Sequence, residues 1–334
     1  MVRVAHINDD PKLGGVTRWL DVILRQLDPA FVHDIQVRAP KSEVPPRLNA
    51  DIIVLHFPPS WATLPWREGL RRRNPQARII QVEHSYTRGF EALHVSEMTR
   101  FRLLLRLAYR QVDRVVAVSA GQRDWLLEVS GLAPRRVVLI HPFTDLSALR
   151  RLPPPVRQPG PLRLCGYGRF SAQKGFDYLI DAMKLVSPEV ATLRLVGLGE
   201  EEAALRAQAA GLPHVRIEGP VPGPENLFGE IDAVAMPSRF EAFGIVAAET
   251  RAAARPLIAA LVDGLPGHVL PGVPQLTMLP GDVKRLATCI TWLAGQDVTA
   301  LGEAARASLG RAEHEAVETW NTLLHGLAPA LAEG

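Results

Sequence analysis

The stretch Pro237-Ser238-Arg239-Phe240-Glu241-Ala242-Phe243-Gly244-Ile245-Val246-Ala247-Ala248-Glu249 decides how this chain is read. It follows a short apolar run, Ala233–Met236, whose length and composition predict a buried strand. It then opens a helical stretch predicted over Gly244–Ala254. Strand, loop and helix in that order form the unit of a parallel sheet flanked by helices. Two carboxylates bracket the corner. Glu241 stands in the loop, where it can accept from hydroxyls, and Glu249 stands one turn inside the helix, within reach of a ribose diol. Gly244 lets a ligand approach the backbone, and the N–H groups of Phe243, Ile245 and Val246 at the helix start can hold phosphate oxygens. Ala242 lies between these groups and the acid.

The same arrangement recurs upstream. Leu162–Tyr167 reads as a strand, Gly166-Tyr167-Gly168-Arg169-Phe170-Ser171-Ala172-Gln173-Lys174-Gly175 as a glycine-bearing loop, and Phe176–Val186 as a helix. Arg169 and Lys174 therefore sit where helix N–H groups are unpaired, an anion site suited to a diphosphate. Further strands are predicted at Thr192–Val196, Val215–Glu218 and Pro256–Ala259, with helices at Glu200–Ala210, Val283–Ala294 and Glu313–Leu327. The first half alternates likewise. Strands are predicted at Val2–Ile7, Ile35–Val37, Ile52–His56, Ile79–Glu83, Val115–Ser119 and Val137–His141, and helices at Gly15–Leu27, Glu97–Val112 and Gly121–Ser130. The prolines of Leu152-Pro153-Pro154-Pro155 and Pro159-Gly160-Pro161 can continue neither a helix nor a central strand. The expected organisation is therefore α/β with two Rossmann-like domains facing a deep cleft: residues 1–152, a linker at 153–161, residues 162–312, and a last helix within 313–334 that packs back on the first domain.

A length of 334 residues suits two domains, and 47% hydrophobic with 22% charged residues argues against a disordered, collagen-like or coiled-coil chain. Two cysteines, Cys165 and Cys289, exclude a disulfide scaffold and a CxxC metal site, and predict a reducing cytoplasm. No apolar run is long enough to span a membrane, and MVRVAHIN followed by Asp9-Asp10 does not read as a signal peptide. The net charge of +3 hides an asymmetry. Residues 1–155 hold 23 Lys/Arg against 15 Asp/Glu, a net of +8; the remainder holds 15 against 20, a net of −5. Such a division points to an anionic partner for the first half. No recognition motif for nucleic acid is present.

The Glu241/Glu249 pair inside PSRFEAFGIVAAE resembles that of the retaining GT-B glycosyltransferases of family 4. GRFSAQKG is similar to that family's donor-diphosphate loop, LVGLGEEEAALRAQA to its next strand–turn–helix near the nucleoside, and VRIEGPVP to its base-contacting loop. Gly14-Gly15 after the first strand resembles the N-terminal glycine loop beside the diphosphate, and Val116-Ala117-Val118-Ser119 the serine-closed strand near the end of the first domain. The resemblance implies a transfer of a hexosyl group from a UDP- or GDP-sugar to a saccharide or glycolipid acceptor, with retention at the anomeric carbon. It further implies Gly14, Gly15, Arg169, Lys174, Gly244, Ile245 and Val246 at the diphosphate. At the donor sugar it implies His84, Glu241, Ala242, Phe243 and Gly244, and at the nucleoside Glu249, Gly197, Leu198 and Val221. His84, ending the strand Gln81-Val82-Glu83, matches the family histidine near the reaction centre; His56 and His141 are weaker candidates at other strand ends. Glu241, His84, Arg169 and Lys174 are the expected catalytic set. There are departures. His141-Pro142-Phe143 stands where an Asn-Gly turn is common, and Asp263-Gly264-Leu265-Pro266-Gly267-His268 replaces the usual Gly-Gly-x-Pro-Glu.

No Asp-x-Asp occurs, so neither a metal nor another cofactor is expected; two cations and a helix end can absorb the charge of a departing diphosphate. Arg102, Arg106, Arg110 and Arg114 recur every four residues beside an apolar face, a pattern that predicts a basic stripe able to lie on an anionic membrane. Arg71-Arg72-Arg73 adds a second basic cluster. Localisation is accordingly expected in the cytoplasm or on the inner face of the cell membrane, with the acceptor a saccharide or a lipid-linked sugar. A nucleotide-sugar 2-epimerase and a non-catalytic nucleotide-sugar-binding subunit are the alternative readings.

Overall fold

The structure, a computed structural model, describes residues 1–9 and 15–328. The chain divides into two compact units, Met1–Thr144 with Arg311–Gly334, and Asp145–Gly310.

The first unit runs β1 (Val2–Asn8), α1 (Gly15–Ile23), β2 (Phe31–Val37), β3 (Ile52–Leu55), α2 (Leu64–Arg73), β4 (Arg78–Glu83), α3 (Arg88–His94), α4 (Met98–Arg110), β5 (Arg114–Ala117), α5 (Ala120–Ser130) and β6 (Val137–Leu139). The six strands form one parallel sheet in the order β2-β1-β3-β4-β5-β6. Ile52–Leu55 is buried at every position because helices cover both faces, which is why it reads as an unbroken apolar run. Edge strand β2 alternates instead between covered and exposed positions. Helix starts follow local chemistry: Thr87 caps α3 by accepting from the Phe90 N–H, and Ser119 caps α5 by accepting from that of Gln122. Gly131, at φ +68°, ends α5.

The second unit opens with α6 (Ser147–Arg150) and continues β7 (Leu162–Tyr167), α7 (Phe176–Met183), β8 (Ala191–Val196), α8 (Glu202–Ala209), β9 (Val215–Glu218), α9 (Pro224–Phe228), β10 (Ala233–Met236), α10 (Ile245–Ala252), β11 (Leu257–Ala260), β12 (Thr277–Met278), α11 (Val283–Ala294) and α12 (Val298–Ser308). Its parallel sheet has the order β12-β11-β10-β7-β8-β9. The last helix, α13 (Ala312–Leu327), belongs to the first unit: its Trp320 ring lies 5.8 Å from that of Trp19, and its Asn321 Oδ1 accepts from the Asp28 N–H.

Both sheets are doubly wound. The strand order reverses between β1 and β3 in one and between β7 and β10 in the other, and ligands of such sheets bind beyond the carboxyl ends of the strands at that reversal.

Three expectations are corrected. The division falls after Thr144 rather than at 152, because the proline segment is fastened to the second unit: the Leu152, Pro153 and Pro155 carbonyls accept from Arg306, Arg255 and Thr299. Strands predicted to reach His56, Ser119 and His141 stop at Leu55, Ala117 and Leu139, leaving those residues on the following loops. The four-arginine stripe does not form on one helix. Helix α4 ends at Arg110 and Arg114 begins β5, while Arg102 clasps the Glu91 carboxylate with both a 2.6 Å and a 3.0 Å bond. The apolar face of α4, through Leu104, Leu105, Ala108 and Tyr109, is in the core of the first unit.

Candidate active site

In the second unit the loops after β7 and β10, the two strands at the reversal, are sewn together. Arg239 donates through its guanidinium to both Asp177 carboxylate oxygens (2.8 and 2.6 Å) and to the Ala172 carbonyl, and its guanidinium carbon lies 4.0 Å from the Tyr178 ring centre. The Asp177 carboxylate raises the Arg239 pKa. The Arg239 N–H donates to the Gln173 carbonyl, and Gln173 Nε2 donates to the Phe240 carbonyl. Gly175, at φ +65°, passes so close that a Cβ there would stand 2.2 Å from the Pro237 carbonyl oxygen. The two loops can meet this way only with glycine at that position.

The seam brings Lys174 to Glu241. Nζ and Oε2 are 2.5 Å apart, and the two side chains retain 17% and 12% of their exposure. The Glu241 N–H donates to Asp263 Oδ2, and the Glu241 carbonyl accepts from the Gly264 N–H. Gly244, at φ +99°, then turns the chain into α10; a Cβ there would meet Leu265 at 2.8 Å. The helix opens with Ile245 and Val246, and Glu249 follows one turn on, 3% exposed. Arg169, exposed on the β7 loop, makes no ion pair among the described residues. Lys174, Glu241, Gly244 and the start of α10 are thus gathered at one place, with Ala242 half-buried and Phe243 buried between them.

The Asp263–His268 segment, the departure noted in the sequence, clasps this loop from beneath. His268 Nε2 donates to the Phe243 carbonyl at 3.1 Å, while its Nδ1 accepts from the Arg251 guanidinium at 3.3 Å. Arg251 also donates to the carbonyl and hydroxyl of Ser308. Gln173, Asp177, Arg239, Asp263 and His268 were not picked out from sequence; the unusual DGLPGH run was the available signal for the last two.

The nucleoside candidates are more dispersed. Gly197, at φ +158°, lies where a Cβ would stand 1.9 Å from the Gly168 carbonyl oxygen, so close backbone approach explains it without a ligand. Leu198 is 58% exposed on the loop after β8, and Val221 is half-buried on the loop after β9.

In the first unit His84 follows β4, one residue beyond the strand. The preceding Glu83 is fully buried and accepts from the Tyr109 hydroxyl (2.7 Å) and from the N–H groups of Ser85 and Tyr86, so its carboxylate folds the turn that carries His84. Burial pushes the Glu83 pKa up against those bonds. His84 Nε2 lies 3.3 Å from His56 Nδ1, and burial pushes the His84 pKa down to about 4. Gly15 begins α1; Gly14 lies outside the described residues. His141 borders a cavity of about 160 Å³ shared with Glu315 and Thr319 of α13.

Residues 13–148 match the model of Glycosyltransferase Family 4, and residues 162–296 that of Glycosyl transferases group 1. The chain belongs to this glycosyltransferase family, and its two sheets are the Rossmann-like domains of the GT-B fold. A D-inositol 3-phosphate glycosyltransferase of Catenulispora acidiphila is 32% identical over 203 residues, 53% of this chain and 48% of that one. A glycogen synthase of Mycobacterium tuberculosis is 30% identical over 190 residues, 54% and 45% of the two chains. The chain thus spans about half the length of these curated relatives. Among solved structures, Anabaena HepE in complex with UDP and glucose has a TM-score of 0.75 at 20% identity, covering 98% of this chain and 99% of that one. A sucrose-phosphate synthase of Thermosynechococcus elongatus has a TM-score of 0.76 at 20% identity, with the same coverage.

Proposed function

We propose that this protein is a retaining glycosyltransferase that moves a hexosyl group from a UDP- or GDP-sugar to a saccharide or glycolipid acceptor in surface polysaccharide, lipopolysaccharide or glycolipid synthesis. One observation carries the reading: the Lys174–Glu241 pair stands beside the start of α10, at the strand-order reversal of the second sheet, with Glu249 one turn further on. In this reading the phosphates lie against Lys174, Arg169 and the N–H groups of Ile245 and Val246, and Glu249 takes the ribose hydroxyls. Negative charge on the departing diphosphate is met by the two cations and the helix end. The acceptor hydroxyl attacks on the leaving-group face, its proton passes to the departing phosphate oxygen, and the new bond keeps the anomeric configuration. Glu241 accepts from sugar hydroxyls and orients the donor. Relatives that are named as glycosyltransferases support this class.

The test is incubation with UDP-glucose, UDP-galactose, UDP-N-acetylglucosamine or GDP-mannose and a panel of saccharide and glycolipid acceptors. Nucleoside diphosphate release that depends on acceptor, with an α-linked product, is expected. An isomerised sugar with its nucleotide intact would instead make it an epimerase. Binding without turnover would make it a nucleotide-sugar-binding subunit. Full activity in excess EDTA is expected of a metal-independent enzyme; loss that Mg²⁺ or Mn²⁺ restores would overturn that part.

Contact with an anionic membrane is proposed through a different face of α4 from the one expected. Arg100, Arg106 and Arg110 stand outward there beside exposed Leu103 and Leu107. No helix among the described residues is long and apolar enough to cross a membrane.

A further inference from the structure

Four adjacent strands of the first sheet each contribute one histidine. His33 lies on β2, His6 on β1, His56 one residue beyond β3 and His84 one residue beyond β4, which is the spatial order of the strands. The rings form a chain rather than a cluster. His33 Nδ1 to His6 Nε2 is 3.0 Å, His6 Nδ1 to His56 Nε2 is 3.0 Å, and His56 Nδ1 to His84 Nε2 is 3.3 Å. The inner rings are buried, at 2% and 3% exposure, and the outer two are half-buried. Trp19 seals one side, edge-on to His56 and His84 at 5.7 and 5.6 Å. No group of three or more His, Cys, Asp or Glu among the described residues is placed to hold a metal ion.

Burial keeps all four rings neutral near pH 7: it lowers the pKa of His33, holds that of His56 well below 6.5 and pushes that of His6 down to about 3. A neutral imidazole carries one N–H and one lone pair. Each ring in such a chain must donate in the same direction as its neighbours, because a single reversed ring sets two N–H groups or two lone pairs face to face. Only two states of the whole chain satisfy every contact. In one, each N–H is on Nε2 and the chain points from His84 to His33. In the other, each N–H is on Nδ1 and the chain points from His33 to His84.

The far end decides between them. His33 Nε2 is buried and has no hydrogen-bond partner among the described residues. Leaving an N–H orphaned there costs more than leaving a lone pair orphaned. The proton therefore belongs on His33 Nδ1, and each ring passes the same choice to the next. We infer that His33, His6 and His56 are positioning residues that hold His84 with its proton on Nδ1, so that His84 meets its ligand as a hydrogen-bond donor and not as a base. The tautomer rests on the chain alone; that the group the Nδ1–H meets is a sugar oxygen rests on the function proposed above.

The full-length protein labelled with ¹⁵N, observed by long-range ¹H–¹⁵N correlation at pH 7.5, reads the tautomer of each ring directly. Protonated Nδ1 and bare Nε2 are expected at all four. A His84 protonated on Nε2 overturns the inference without any variant. His33→Phe removes the first donor; a mixture of His84 tautomers should appear, and kcat should fall roughly fivefold to tenfold, one hydrogen bond's worth, with KM for the nucleotide sugar within about twofold. His33→Asn, whose amide can donate near the place of Nδ1–H, should restore both. An unchanged His84 tautomer in His33→Phe refutes the coupling. The expected tautomers in a protein that transfers no sugar would refute the proposed function and leave the chain standing.

Discussion

The Lys174–Glu241 pair makes two substitutions at one contact act in opposite directions on ligand binding. Without ligand the Lys174 ammonium is already satisfied by Glu241 at 2.5 Å, in a pair whose side chains are 17% and 12% exposed. A diphosphate approaching Lys174 must share it with that carboxylate. A charge-assisted hydrogen bond so shielded is worth about 1.5–3 kcal/mol. Lys174→Met removes the phosphate cation and strands the acid, so nucleoside diphosphate should bind roughly 10–100-fold more weakly, and the fold should lose about 2–3 kcal/mol. Glu241→Gln keeps the shape but releases the lysine. Nucleoside diphosphate should then bind up to about tenfold more tightly, while turnover of the nucleotide sugar falls about 100-fold, a barrier rise of ~2.7 kcal/mol. The double variant should be less destabilised than the sum of the singles by about 1.5–3 kcal/mol. Titration calorimetry with UDP and GDP reads the affinities, and urea unfolding reads the cycle. Equal weakening by both single changes would refute the reasoning, because Glu241 would then be a ligand contact and not a restraint on Lys174.

Glu249→Ala should weaken nucleoside diphosphate binding about tenfold or more yet leave inhibition by inorganic pyrophosphate within about twofold, as expected of a contact to ribose rather than phosphate. Gly175→Ala should cost about 2–4 kcal/mol in urea unfolding, since it joins a left-handed φ to a clash with the Pro237 carbonyl; Gly131→Ala, at a similar φ but in open space, should cost only ~1 kcal/mol. Acid should destabilise the first unit. His6 and His84 titrate at about 3 and about 4 when folded against 6.5 unfolded, so the unfolded chain binds more protons below pH 6.5. Stability is full above that pH and falls as pH drops, by roughly 1.5–2 kcal/mol per ring between pH 6.5 and 5; a flat urea midpoint by tryptophan fluorescence from pH 7 to 5 would contradict this. Arg102→Met should cost about 2–4 kcal/mol in the same assay, because it leaves the buried Glu91 carboxylate with Trp125 Nε1 as its one side-chain donor among the described residues.

Most strands of both sheets were legible because buried parallel strands are continuous apolar runs between turn residues; the two-residue β12, Thr277–Met278, is too short to give such a run. Leu162–Tyr167, Val215–Glu218 and Ala233–Met236 fall where the pattern puts them. Five helices were not legible: Leu64–Arg73, Arg88–His94, Ser147–Arg150, Pro224–Phe228 and Val298–Ser308. Leu64–Arg73 is mostly polar, and what holds it is Trp66, Leu70 and a buried Arg67 whose guanidinium donates to Gln81 and the Phe57 carbonyl. Val298–Ser308 is built largely of small residues, and Gly302 packs where a Cβ would stand 2.0 Å from the Ala254 carbonyl oxygen. The loop residues Arg169, Lys174, Glu241 and Glu249 could be picked out because glycines and a strand–helix junction mark them locally. The histidine chain could not be, since its members stand 27, 50 and 28 residues apart and meet only because the strand order differs from the chain order.

The positive excess of the first half reads differently once its arginines are placed. Arg136 donates to the Tyr109 and Val112 carbonyls around the end of α4, and Arg71 to the Ala77 carbonyl just before β4. A backbone carbonyl takes a cation without bringing a formal negative charge, so each such brace adds to the net charge and implies no anionic partner. Arg71 and Arg78 also share the single carboxylate of Asp113. Much of the +8 is therefore structural. Arg100 and Arg110 stand exposed on α4, with Arg106 beside them. Pelleting with anionic vesicles at low salt should accordingly fall when these three are changed to Gln together. It should persist in Arg114→Gln, which lies off α4 at the start of β5 and whose guanidinium donates to the Asp113 carbonyl. Dependence on Arg114 equal to that on Arg110 would contradict the structure's placement of the basic face.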